Sequence, residues 1–192
     1  MLRLQASSRG QPTHVPHMLR AGSMWSTRPS LPSESGSIER SYRRCREITR
    51  AGSRTFYLAS LFLPAHKRRA VWAIYAFCRT ADDIADTADP AEVRVAKLDD
   101  WQRELVAAFS GRPRHPLMMA VADTARRYGV SIQPALNLLQ GARADITVQR
   151  YATYEQLLEY CYLVASTVGL LVSPVLGYAP GALDYGDRKS VV

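Results

Sequence analysis

Cysteine is scarce in this 192-residue chain: Cys45, Cys78 and Cys161 share no close spacing and make an odd count. That argues against a disulfide framework or a zinc site and fits a reducing, cytoplasmic compartment. Long apolar runs are missing too. The best stretch, Leu163 to Leu176, is interrupted by Ser166, Thr167, Gly169, Ser173 and Pro174, so no uninterrupted segment reaches the roughly eighteen residues of a membrane span. No internal repeat, glycine-rich phosphate loop, or Ser/His/Asp or Cys/His set stands out, which sets aside P-loop chemistry and triad-type hydrolysis. Acids are absent before Glu34, and residues 1–54 hold ten arginines against three glutamates. That segment carries most of the net charge of +8, leaving the remainder nearly neutral. Only Lys67-Arg68-Arg69 forms a basic cluster there, too little for a nucleic-acid face, so no nucleic-acid partner is expected.

Residues 1–36, rich in Ser, Pro, Gly and Arg, read as a disordered leader. Arg and Ser without acids also make up organellar transit peptides, but the preferred reading is leader sequence ahead of a later start such as Met24. Residues 37–192 then form one domain, and at 47% hydrophobic and 22% charged residues the chain has enough apolar material for a core. A helix is expected from Ser37, as N-cap, to about Thr49, followed by the breaker Gly52-Ser53-Arg54-Thr55. The run Tyr57 to Leu63 fits strand or helix, and its helical neighbours favour helix. Further helices are expected over Pro90 to about Ser110, with Val93 among its apolar positions, over Pro116 to Tyr128 with Gly129 as cap, over Pro134 to about Val148, and from about Tyr154 to Leu176. His115 is read as a surface residue of the loop between the first two. Every regular segment is helical and the connections are short. The fold class is all-α, a helical bundle.

The chain is organised around one helix, running from Pro64 to about Thr87, with Pro90 beyond it. Trp72, Tyr75, Arg79, Asp82 and Asp86 recur at intervals of three and four, which keeps them on one face. Asp83 flanks that stripe, and the other sides are apolar, from Ala70 to Phe77 and again at Ile84 and Ala85. Charged groups on a largely buried helix need partners, and acids near a helix C-terminus oppose the macrodipole. Two carboxylates one turn apart suit Mg²⁺, which keeps several waters and accepts phosphate oxygens, and an arginine one turn earlier favours a phosphate there. Asp82 and Asp86 are thus metal candidates. A solvated acidic face is the plainer alternative. Gly52-Ser53-Arg54-Thr55, beside a helix start, is either an anion cradle or an ordinary turn.

Ser53-Arg-Thr-Phe56, Leu61-Phe-Leu-Pro64, Arg69-Ala-Val-Trp-Ala-Ile-Tyr-Ala-Phe-Cys-Arg79, Asp82-Asp-x-x-Asp86 and Tyr160-Cys-Tyr-Leu-Val-Ala-Ser-Thr-Val-Gly-Leu-Leu171 resemble the squalene/phytoene synthase family, most of all its bacterial phytoene-forming members. The likeness covers roughly residues 38–186, in the family's order. It implies an isoprenoid synthase-type bundle with a central cavity. It also implies head-to-head condensation of two prenyl diphosphates, geranylgeranyl diphosphate for phytoene, through a cyclopropyl diphosphate. Squalene- or presqualene-type synthesis and a non-catalytic synthase-like domain are the alternatives. By the same resemblance Asp82 and Asp86 bind Mg²⁺, with Mn²⁺ as substitute, and Ser53, Arg54, Thr55, Tyr75 and Arg79 contact diphosphate. Tyr160 stands as a catalytic polar group at the cavity, Val164, Val168 and Gly169 line it, and Asp145 matches a family aspartate.

Departures accompany the match. Ala142 replaces a family methionine and Ser166 a family glycine, and the sequence leaves the family pattern from Asp187. The expectation is a chain missing the family's C-terminal helices and second aspartate-rich motif, hence one of little activity by itself. A prenyl diphosphate is the expected partner. Peripheral membrane contact is a further expectation for the arginine-rich leader, although it lacks an amphipathic stripe. Nothing in the sequence indicates an oligomeric state.

Overall fold

Eight α-helices account for almost all of the residues described by the computed structural model, which are 34–148 and 150–177. The expected disorder of residues 1–33 and the departures after Tyr185 lie outside the described residues. Helix α1 spans Glu34–Gly52, α2 Arg54–Ser60, α3 Ala65–Ala85, α4 Ala91–Phe109, α5 Pro116–Tyr128 and α6 Gln133–Thr147. The last 23-residue helix divides into α7, Tyr154–Cys161, a π-helical turn over Tyr162–Ser166, and α8, Thr167–Leu176. Among the described residues there is no strand. The all-α expectation holds.

The boundaries follow local chemistry. Pro64 and Pro90 precede α3 and α4, where a missing N–H costs nothing. Gly129 closes α5 in the left-handed conformation, at φ 65°, which a side chain would resist. Two helix starts differ by three residues from the sequence reading. Helix α1 begins at Glu34 rather than Ser37, because no proline interrupts that turn and Ile38 packs against the core. The leader of residues 1–36 is therefore helical in its last three positions. Helix α2 starts at Arg54, ahead of Tyr57, because Ser53 caps it, its Oγ accepting from the Phe56 N–H at 3.2 Å.

Helix α3 is central, packing against α1, α4, α5, α6 and α8. Ala70, Val71, Ala73, Ile74, Ala76, Phe77 and Ala81 are buried along it. Phe77, Leu98, Leu105, Met118 and Leu139 are fully buried, each contributing about 1.5–3 kcal/mol. Small residues on α3 let its neighbours approach closely. Val93, expected on the apolar face of α4, is instead exposed, since Leu98, Trp101 and Leu105 already define the buried stripe. His115 is exposed as expected, but its Nδ1 accepts from the Leu117 N–H at 3.2 Å and its ring meets Trp101 edge-on.

Polar ties join α1 to α5. Tyr42 donates to the buried Asp123 at 2.9 Å, and Arg126 and Arg127 complete that carboxylate's shell at 2.8 and 2.7 Å. Ser41 Oγ donates to the Leu117 carbonyl and accepts from the Ala120 N–H. The three cysteines are free, as their spacing implied, with Cys45 and Cys78 buried. Burial pushes both thiols up to about 12.

The helix Tyr154–Leu176 corrects the reading of membrane-span length. Counted as a helix rather than as an unbroken apolar run, it is long and apolar enough to cross a membrane, and 22% of its most apolar stretch is buried. The interrupting residues are uncharged and small, so they do not spoil a helix's hydropathy as they spoil a run. A core helix passes the same test.

Candidate active site

The site begins at a backbone approach. Gly52 ends α1, and a β-carbon there would stand 2.8 Å from the Tyr75 hydroxyl and 3.5 Å from Cδ of Arg79. Its absence lets α3 close on the α1–α2 junction. Phe56, three residues past the Ser53 cap, stacks on Tyr75 with ring centroids 4.9 Å apart. Thus Ser53, Tyr75 and Arg79 gather at one corner, Thr55 being exposed beside them. Arg54 turns elsewhere, lining a hollow of about 710 Å³ with Arg50, Tyr57 and Leu58.

Along α3, Arg79 pairs with Asp83 at 2.7 Å, and among the described residues Asp82 and Asp86 have no ion pair. Asp82 is open to solvent, yet the protein around its carboxyl desolvates it enough to raise its pKa. Arg79 works against that rise, while Asp86, Asp83 and Asp145 add to it by repulsion. Asp145, near the end of α6, therefore lies within electrostatic reach of Asp82. It also holds Tyr160 of α7: their hydrogen bond, then desolvation, pushes the phenol above the ordinary tyrosine range, so it stays protonated. Tyr151 stacks on Tyr160 at 4.9 Å, and the two share a hollow of about 320 Å³ with Leu163 and Gln140.

The apolar positions are distributed unevenly. Val164 lies over Gly141 of α6, where an added β-carbon would meet its Cγ1 at 2.8 Å. Val168 is half-buried against the core, whereas Gly169 is exposed with no atom within 4 Å of a built β-carbon. The π-turn contains Val164 and separates Tyr160 from Val168 and Gly169. Such turns recur at functional sites because they re-aim side chains without ending the helix.

The squalene/phytoene synthase family model matches residues 49–189. The chain belongs to the squalene/phytoene synthase family. A 15-cis-phytoene synthase of Synechococcus elongatus is 43% identical over 78% of this chain and 49% of its own length. Phytoene synthase 2 of Solanum lycopersicum, a chloroplast protein, is 39% identical over 78% and 48%. The fold is that of a solved squalene synthase from Alicyclobacillus acidocaldarius, at 32% identity and TM-score 0.70 over 81% of this chain and 60% of that one. A dehydrosqualene synthase crystallised with ligand gives TM-score 0.67 at 32% identity, over 74% and 50%. The chain spans about half the length of the curated relatives it matches.

Within this family framework the donor set fits a divalent cation. Among the described residues no three His, Cys, Asp or Glu side chains form a ready cage. Asp82 and Asp86 instead offer hard oxygens one turn apart, which suits an ion that takes one or two carboxylates, waters and phosphate oxygens. Sequence reasoning had placed each of these residues but not their couplings. The Arg79–Asp83 pair, the Asp145–Tyr160 bond, the π-turn and the two close-approach glycines emerge only in three dimensions. Gly141 carried the one available signal, a glycine inside a helical pattern, whereas Gly52 read as part of a breaker.

Proposed function

We propose that this chain carries the Asp82/Asp86 diphosphate-activating half of a prenyltransferase that joins two geranylgeranyl diphosphates head-to-head toward phytoene. The observation that carries the reading is the acid cluster of Asp82, Asp86 and Asp145, with Arg79 beside Asp82 and a protonated Tyr160 bonded to Asp145. Names and identities of the relatives support geranylgeranyl chains. Mg²⁺, or Mn²⁺ in its stead, held by Asp82 and Asp86, would neutralise the departing diphosphate when bound.

The chain's own residues supply the rest. Arg79 adds a guanidinium one turn from the two carboxylates and, by holding Asp83, keeps that acid from competing for the cation. Tyr75, stacked on Phe56, presents its hydroxyl at the same corner. Tyr160, fixed by Asp145, offers an O–H dipole rather than a phenolate, which tolerates a neighbouring carbocation without capturing it. Val164 and Val168 add apolar surface that excludes water from such a cation.

Binding of geranylgeranyl diphosphate, titrated calorimetrically with Mg²⁺ and with chelator, tests the proposal. Mg²⁺-dependent binding lost in Asp82→Ala supports it; binding indifferent to both overturns it in favour of a non-catalytic domain. The squalene-type neighbours favour a second reading with farnesyl chains. Tighter binding of farnesyl than geranylgeranyl diphosphate would select that reading.

A further inference from the structure

The peptide unit that joins Ala85 to Asp86 is held at both of its polar atoms. Its N–H donates to the Asp82 carbonyl at 2.9 Å, and its carbonyl accepts from Arg94 Nη1 at 2.7 Å. A peptide unit is planar, so two bonds in opposite directions fix its tilt as well as its place. Without Arg94, the Ala85 carbonyl would be one of those that a helix C-terminus leaves over, free to turn toward solvent. Arg94 itself is poorly placed for its own helix. It stands at the start of α4, its N–H bonded back to Pro90 at 3.1 Å, where the macrodipole disfavours a cation. Its Nε is buried with no hydrogen-bond partner among the described residues, which adds to the cost. Its role therefore lies across the gap, at the end of α3. There Asp82, Asp83, Asp86 and Asp89 crowd the negative end of the helix dipole. Arg79 holds Asp83 and Lys97 holds Asp89. Arg94 gives its charge to the backbone instead of to a carboxylate.

We infer that Arg94 is a positioning residue for the cation site: by holding the Ala85 carbonyl it sets the placement of Asp86 against Asp82 that Mg²⁺ requires, without itself touching Mg²⁺ or diphosphate. It neutralises the helix end beneath the two carboxylates and leaves both open to the ion. The inference rests on the reading of Asp82 and Asp86 as the Mg²⁺–diphosphate site. Groups that orient a metal ligand without contacting the metal change metal affinity about 10–100-fold when removed.

Geranylgeranyl diphosphate binding to the full chain is titrated calorimetrically over a range of Mg²⁺ concentrations, in the wild type, Arg94→Met and Arg94→Lys. Arg94→Met keeps an apolar stem but removes the donor and the charge. It is expected to raise the Mg²⁺ concentration for half-maximal binding about tenfold, while affinity at saturating Mg²⁺ changes less than about twofold. Arg94→Lys, whose ammonium can still meet the carbonyl but lacks the planar fork, is expected between the two, at about threefold. A lowered Tm with an unshifted Mg²⁺ midpoint would make Arg94 a brace of the fold alone and overturns the inference. So does a loss of affinity that persists at saturating Mg²⁺ with the midpoint unchanged, because the guanidinium would then contact the diphosphate itself. Where Arg94→Met does not fold, the Arg94→Lys midpoint decides, and an unshifted value overturns the inference. Mg²⁺-independent binding by the wild type removes the underlying reading and the inference together. Mg²⁺-dependent binding that Arg94→Met leaves unshifted removes the inference alone.

Discussion

Tyr75 places its hydroxyl 2.8 Å from where a β-carbon on Gly52 would sit, so the last residue of α1 and the middle of α3 touch only because that carbon is absent. The contact is backbone against a ring that is itself held by Phe56. It brings the Ser53 turn to the Arg79 corner of the site.

Gly52→Ala should force Tyr75 off Phe56 or push α1 away. Overpacking of this kind costs about 1–3 kcal/mol. For a chain of this size that is a fall of several degrees in Tm. A Gly52→Ala variant melting with the wild type would show that the ring yields freely.

The three acids at the C-terminal end of α3, Asp82 and Asp83 within it and Asp86 as its cap, should not be equivalent. Asp83 is occupied by Arg79, while Asp82 and Asp86 are not. Asp82→Ala should weaken Mg²⁺-dependent prenyl diphosphate binding at least tenfold, the loss of about 1.4 kcal/mol or more expected for a metal-bound carboxylate. Asp83→Ala should weaken it only a few-fold. Calorimetry on the two variants side by side decides the matter, and equal losses would dissolve the distinction.

Asp123 should make the fold acid-sensitive. Burial alone would raise its pKa, but hydrogen bonds from Tyr42, Arg126 and Arg127 outweigh burial and hold it below the ordinary aspartate range. A lowered folded pKa contributes stability that is complete above the unfolded value, about 3.9, and vanishes as pH falls through the folded one. Denaturant melts should therefore lose this contribution below about pH 4. Asp123→Asn should start less stable at pH 7 and show a flatter acid slope. Tyr42→Phe, which strips one donor from a buried carboxylate, should cost about 1–3 kcal/mol at neutral pH.

Two helical glycines should respond to alanine with opposite signs. At Gly141 a methyl would meet Val164 Cγ1 at 2.8 Å and Leu163 Cβ at 3.1 Å, whereas at Gly169 it would meet open space. Gly169→Ala should stabilise by up to about 1 kcal/mol through helix propensity. Gly141→Ala should destabilise, its clash exceeding that gain. Thermal melts of the pair give the comparison within one background.

How much of this was legible beforehand differs from helix to helix. Helix α3 could be read almost whole, because its stripe repeats at three and four residues and prolines bracket it. Helix α5 was equally plain from Pro116 and Gly129. The start of α1 was not, since Ser35-Gly36-Ser37 is locally weak in helix-forming power and its helicity is secured by the packing of Ile38. Val93 looked like core because its residue type is apolar, yet Leu98, Trp101 and Leu105 had already filled that stripe. Site residues carried by motifs were legible one by one. Their couplings were not: Asp145 and Tyr160 lie on different helices, and Gly52 and Gly141 are needed for what approaches them from elsewhere in the chain.

The π-turn at Tyr162–Ser166 carries information of another kind. It holds one residue more than an α-helix needs, so everything before it is turned by about 100° relative to everything after it. Closing that turn by deleting Ser166 would leave Asp145, Tyr160 and Val164 chemically intact. Tyr160 would nevertheless swing away from Asp145 while Leu171 and Val175 kept their places in the core. The alignment of the phenol is therefore stored as a count of residues rather than as the identity of any one of them.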